Sequence, residues 1–150
     1  MNVFISYSDK DLKVAEKLAS LLSEARMNVW LDRNEILLGD NWSLEQGKAL
    51  QRSDAMVVLV SPDSVASETV RREVAYALSS PKFEGRVVPV VVRPTTDIPW
   101  LLRTMQMIHP QGAHGQAVKR MAEEIVDALA GPKNDKSVRT VLGEPKTVQR

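Results

Sequence analysis

The chain has no cysteine among its 150 residues. That excludes disulfides, a thiolate metal site and a cysteine nucleophile. It has no excess of charge of either sign, with 20 Lys and Arg against 19 Asp and Glu and a net charge of +1. No global field attracts nucleic acid or an anionic membrane, so neither is expected as a partner. Long apolar runs are missing as well. Val57–Val60 and Val87–Val92, the latter interrupted by Pro89, are far too short to cross a bilayer. The opening MNVFISYSDKD lacks a basic stretch leading into an apolar run, and no small-residue cleavage site follows, so no signal peptide is expected. These absences together fit a cytoplasmic protein.

Several site motifs are absent too. No GxGxxG follows the first apolar run, and there is no GxxxxGK[ST] phosphate loop and no GxSxG nucleophile elbow. His109 and His114 lie close together beside Pro110 and Gly112, without the further partners a metal ion needs, and read as strand-end and loop histidines. No metal site is expected. A response-regulator receiver would place a phospho-acceptor Asp at the tip of the third strand. Here that strand ends in Ser61-Pro62, with Asp63 beyond the proline.

What is present is an alternation of short β-branched runs and helical patterns. Strands are expected at Val3–Tyr7, Asn28–Asp32, Ala55–Val60 and Val87–Val92, with a weak fifth at the edge over Met105–His109. Between them, Asp9 or Asp11 can cap a helix carrying Val14, Leu18, Leu21, Leu22 and Ala25 on one face. A second helix is expected over Trp42–Arg52, with Leu44, the Lys48 stem and Leu50 packing partially. A third runs from about Ser67, its cap, to Leu78, and Trp100–Arg103 reads as a short helical turn. The last helix spans Gly115–Ala130, with Val118, Met121, Ile125, Val126 and Leu129 inward. Short connections between alternating elements imply parallel strands. The fold class is therefore α/β, a flavodoxin-like doubly wound parallel sheet of about five strands flanked by helices. Residues 1–131 read as one domain. Residues 132–150, with two prolines and little apolar periodicity, read as a flexible tail or linker.

Ligands of open α/β sheets bind beyond the carboxyl ends of the strands. Residues expected there are Ser6, Tyr7, Ser8 and Asp9, then Asp32 and Arg33, then Ser61 to Glu73. On the third helix, at about 100° per residue, Val74 and Ala77 fall within about 40° of Val70, and Glu73 lies about 60° off, on the margin of the apolar stripe. From spacing alone, such a Glu is a solvated helix residue or an ion-pair partner, or else a carboxylate half-turned to the cleft. Tyr7 reads as a packing aromatic. Trp42, just past a polar loop, either stacks on a flat ligand or closes the loop on its own domain.

Several segments, in one consistent order, resemble the TIR (Toll/interleukin-1 receptor homology) domain family, in its bacterial form. VFISYSDKD is similar to the opening box. VWLDRNEILLGDNW is similar to the second strand and BB loop, with Asp32 ending the strand and Gly39 following. SDAMVVLVSPDSVASETVRREVAYAL is similar to the third strand and its helix, and VVPVVV to the fourth strand. The resemblance implies an NAD⁺ nucleosidase, a hydrolase or cyclase of a cytosolic defence or antiphage signalling system, active on self-assembly into oligomers or filaments. It implies Glu73 as the catalytic residue, with Tyr7, Ser8, Asp32, Arg33, Trp42 and Thr69 binding substrate. NAD⁺ is then the substrate, and no cofactor is required. The expected protein partner is another TIR domain, joined through the BB loop Arg33–Trp42, in which Leu37, Leu38 and Trp42 either supply apolar contacts or are buried against their own domain. Thr69 departs from the aromatic that catalytic relatives often carry four residues before the Glu. Ser8-Asp9 departs from their basic residues, so that phosphates would rest on Arg33 or on a neighbouring subunit. The same resemblance also suits an adaptor that binds other TIR domains without catalysis.

Overall fold

The computed structural model describes residues 1–31, 42–109 and 114–130, without the side chains of 42, 43, 114 and 115. Asp32, Arg33, the rest of the expected BB loop up to residue 41 and the tail 132–150 lie outside the described residues. Four strands, β1 (Asn2–Ser6), β2 (Asn28–Leu31), β3 (Ala55–Val60) and β4 (Val87–Val91), form one parallel sheet in the order β2-β1-β3-β4. This is the order expected of a doubly wound sheet with one reversal, and it falls between β1 and β3.

Alternation along the buried strands sends residues to two cores. Val3, Ile5, Val57, Leu59 and Val90 pack against α1 (Leu12–Glu24) and α6 (His114–Ala130) on one face. Phe4, Met56, Val58, Val60 and Val91 pack on the other. There they meet α2 (Trp42–Arg52), α4 (Glu68–Ser79) and the short α5 (Trp100–Arg103). A further one-turn helix, α3 (Pro62–Val65), follows β3. Among the described residues no helix is long and apolar enough to cross a membrane.

The fifth strand is corrected to a single bridge, Val90 with Ile108. The Ile108 N–H donates to the Pro89 carbonyl at 2.9 Å, and the Val91 N–H donates to the Ile108 carbonyl at 2.8 Å. The next rung would need a donor at position 89, where proline has none, so the ladder stops. In α2 the inward residues are Gln46, Ala49 and Leu50, whereas Leu44 is 49% exposed and Lys48 faces Glu45 in solvent. On α1 the buried set is Ala15, Leu18, Ala19 and Leu22, and Ala25 lies exposed past the last turn.

The expected cap of α4 holds. The Ser67 hydroxyl accepts from the Val70 N–H at 3.2 Å. Ser67→Ala is expected to lower unfolding free energy by about 1 kcal/mol, read from urea denaturation. A change of less than a few tenths would show that solvent replaces the cap.

Candidate functional site

The strand order reverses between β1 and β3, and doubly wound sheets take their ligands beyond the carboxyl ends of the strands at such a point. Two polar networks occupy this end of the sheet. The first joins β1 to α4. Ser6, the last residue of β1 and fully buried, donates from its hydroxyl to Glu73 Oε1 at 2.6 Å. Glu73 is 6% exposed, so the solvated reading is corrected. The buried face of α4 is Val70, Glu73 and Ala77, while Val74 is only half-buried. The stripe is therefore centred between Ala77 and Glu73 rather than on Val70. Its direction is set by where α4 must lie to cover Phe4 and Met56, which helical spacing alone does not specify.

The second network gathers three strand ends. Asp11, 3% exposed, stands at the start of α1 but makes no capping bond with its side chain. It accepts instead from Ser61 Oγ at 2.6 Å and from Arg93 Nε at 2.8 Å. Arg93 lies just past β4, and its Nη2 also reaches Asp63 Oδ2 at 2.5 Å. Ser61 directly follows β3 and caps α3 through a reciprocal pair with Ser64. Hydrogen bonds from Arg93 to Asp11 first, and then to Asp63, raise the guanidinium well above its ordinary value, so it stays charged. The exposed Asp63 contact is screened by water, and the buried Asp11 contact is not.

Of the sequence candidates, Glu73 lies buried beside Ser6 at the carboxyl end of β1. Ser8 sits in the β1–α1 turn, where its hydroxyl accepts from the Lys10 N–H at 3.3 Å and caps a single 3-10 turn over Asp9–Asp11. Tyr7 is half-buried and packs against the α1 and α6 face, on the opposite side of the sheet from Ser6. Thr69 lies in the first turn of α4, half-buried. Trp42 begins α2. Asp32 and Arg33 lie outside the described residues, as noted above. Arg93 and the role of Asp11 escaped the sequence reading. A lone Arg directly after a fourth strand was the available signal, but its partners are 82 and 30 residues away. Among the described residues no group of three or more His, Cys, Asp or Glu could hold a metal ion. An open hollow of about 870 Å³, lined by Phe83, Val87, Met105, Met107 and Asp127, lies at the other end of β4 and shares no residue with the two polar networks.

A family model described as a TIR domain matches residues 3–126. The fold is shared with the TIR domain of a Toll-related receptor from Hydra magnipapillata. That structure is 21% identical, with a TM-score of 0.60 over 71% of this chain and 82% of the receptor domain. A prokaryotic SEFIR domain is 16% identical, with a TM-score of 0.60 over 87% of this chain and 93% of its own. No curated protein matches the sequence. At these identities the two structures speak for the fold alone, whereas the family model spans most of the chain. With that match and a parallel sheet whose order reverses between β1 and β3, the chain belongs to the TIR domain family.

Proposed function

We propose that this TIR domain cleaves the bond between nicotinamide and ribose in NAD⁺, using Glu73, in a cytosolic defence or signalling system. The observation that carries the reading is the Glu73 carboxylate, buried on α4 and fixed by Ser6 at the carboxyl end of β1. The chemistry asks for little else. Nicotinamide in NAD⁺ is already a cationic leaving group, so no general acid is needed. Its departure leaves an oxocarbenium-like ribose, which one preorganised carboxylate stabilises or holds by its hydroxyls. Hydrolysis and cyclisation share this step. With only 6% of Glu73 exposed, a lone domain offers substrate little access, in keeping with activity that arises on self-assembly. Tyr7, Ser8, Thr69, Asp32, Arg33 and Trp42 are the proposed substrate contacts, with Asp32 at the end of the second strand and Arg33 and Trp42 completing the site from the BB loop of the same or a neighbouring copy.

A second reading, a TIR adaptor without catalysis, is favoured by two observations. Thr69 offers no ring to stack on the substrate. An apolar cleft of about 210 Å³ between α4 and α5, lined by Val60, Val70, Val74 and Leu102, lies beside Trp100, 63% exposed, and Leu101, 46% exposed. Such a patch suits protein contact. Incubating concentrated protein with NAD⁺, with and without a crowding agent, and following nicotinamide release separates the two. Release that depends on Glu73 supports the enzyme. No release at any concentration leaves the adaptor.

A further inference from the structure

Arg93 is held by two carboxylates of unequal kind. The Asp11 contact is interior, at 3% exposure, and Asp11 is further tied to Ser61. The Asp63 contact is at the surface, with both side chains 41% exposed. One guanidinium against two carboxylates leaves the cluster one negative charge in excess. The guanidinium fork presents five N–H donors that match phosphate as well as carboxylate, and among the described residues Nε and Nη2 are the nitrogens engaged. Its place just past β4 puts it at the end of the sheet where doubly wound folds bind ligands.

We propose that Arg93 is the phosphate-binding cation at this end of the sheet and that Asp63 holds the place of the incoming pyrophosphate. Substrate binds by displacing Asp63, while Asp11 keeps the guanidinium aimed. This rests on the dinucleotide reading above and names how its phosphates are held. The division follows from exposure. A water-screened pair exchanges partners readily, and a buried pair does not. Asp63 thereby sets affinity, because its charge both occupies the fork and repels the phosphates.

Inorganic pyrophosphate is the probe, titrated calorimetrically into the parent chain, Asp63→Asn, and Asp63→Asn combined with Arg93→Gln. Asp63→Asn is expected to bind about fivefold more tightly than the parent. The gain should shrink between about 0.05 and 0.3 M salt, as surface charge effects do. The combined variant should lose the gain. If Arg93→Gln prevents folding, Arg93→Lys in the same background, which keeps the charge but not the fork, should lose most of it. Equal affinity of Asp63→Asn and the parent overturns the proposal, as does a gain that survives the change at Arg93. A merely structural pin would alter melting temperature without a salt-dependent change in pyrophosphate affinity. Binding is read here without hydrolysis, so an inert Glu73 and an indifferent Arg93 are separate results.

Discussion

Replacing Glu73 with Gln is expected to lower nicotinamide release from NAD⁺ by about a hundredfold or more, with the fold intact. The size follows from what a preorganised charge contributes where cation character develops. Gln keeps the shape and an oxygen that can still accept from the Ser6 hydroxyl, so the buried contact survives while the charge is lost. The melting temperature should therefore move little. Ser6→Ala offers a graded companion. It removes the donor that aims Oε1 and should cost about tenfold in release, because small displacements of a reacting group are expensive. Equal release from the parent and Glu73→Gln would remove Glu73 from the mechanism.

Loss of the Arg93 side chain should be the most damaging change outside the two apolar cores. Arg93→Met leaves Asp11 as a carboxylate at 3% exposure, with the Ser61 hydroxyl as its remaining side-chain partner among the described residues. Stranding one member of a buried pair typically costs 3–5 kcal/mol. Because Arg93 is itself 41% exposed, about 2–3 kcal/mol is expected in urea denaturation. That is a large share of a domain's usual margin. Adding Asp11→Asn should restore about half, since an amide needs less from its surroundings than a charge. A loss under about 0.5 kcal/mol for Arg93→Met would mean that water reaches Asp11 and the clamp holds nothing.

Much of the fold was legible because it rests on local patterns. The run AMVVLV could only be a strand buried on both faces, and Ser67 ahead of a helical stripe was a cap. The edge was less legible. MQMIH has the composition of a strand, but whether it pairs depends on the donor opposite, and that position is Pro89. The site was half legible. Glu73 was singled out by its place on the helix and by family resemblance, yet spacing put it on the margin of the stripe, and packing turned it inward. Asp9 and Asp11 were both open as caps because a cap is the local use of an Asp before a helix, and a partner 82 residues away took Asp11 instead.

By itself the sequence determined the doubly wound class, the order of its elements and its family, since all three follow from periodicities and boxes a few residues long. The tertiary structure alone decided which carboxylates are buried and what holds them. Ser6 meets Glu73 across 67 positions of chain, and Arg93 meets Asp11 across 82. Burial and charge pairing at such separations are properties of the packed sheet, and no local pattern records them.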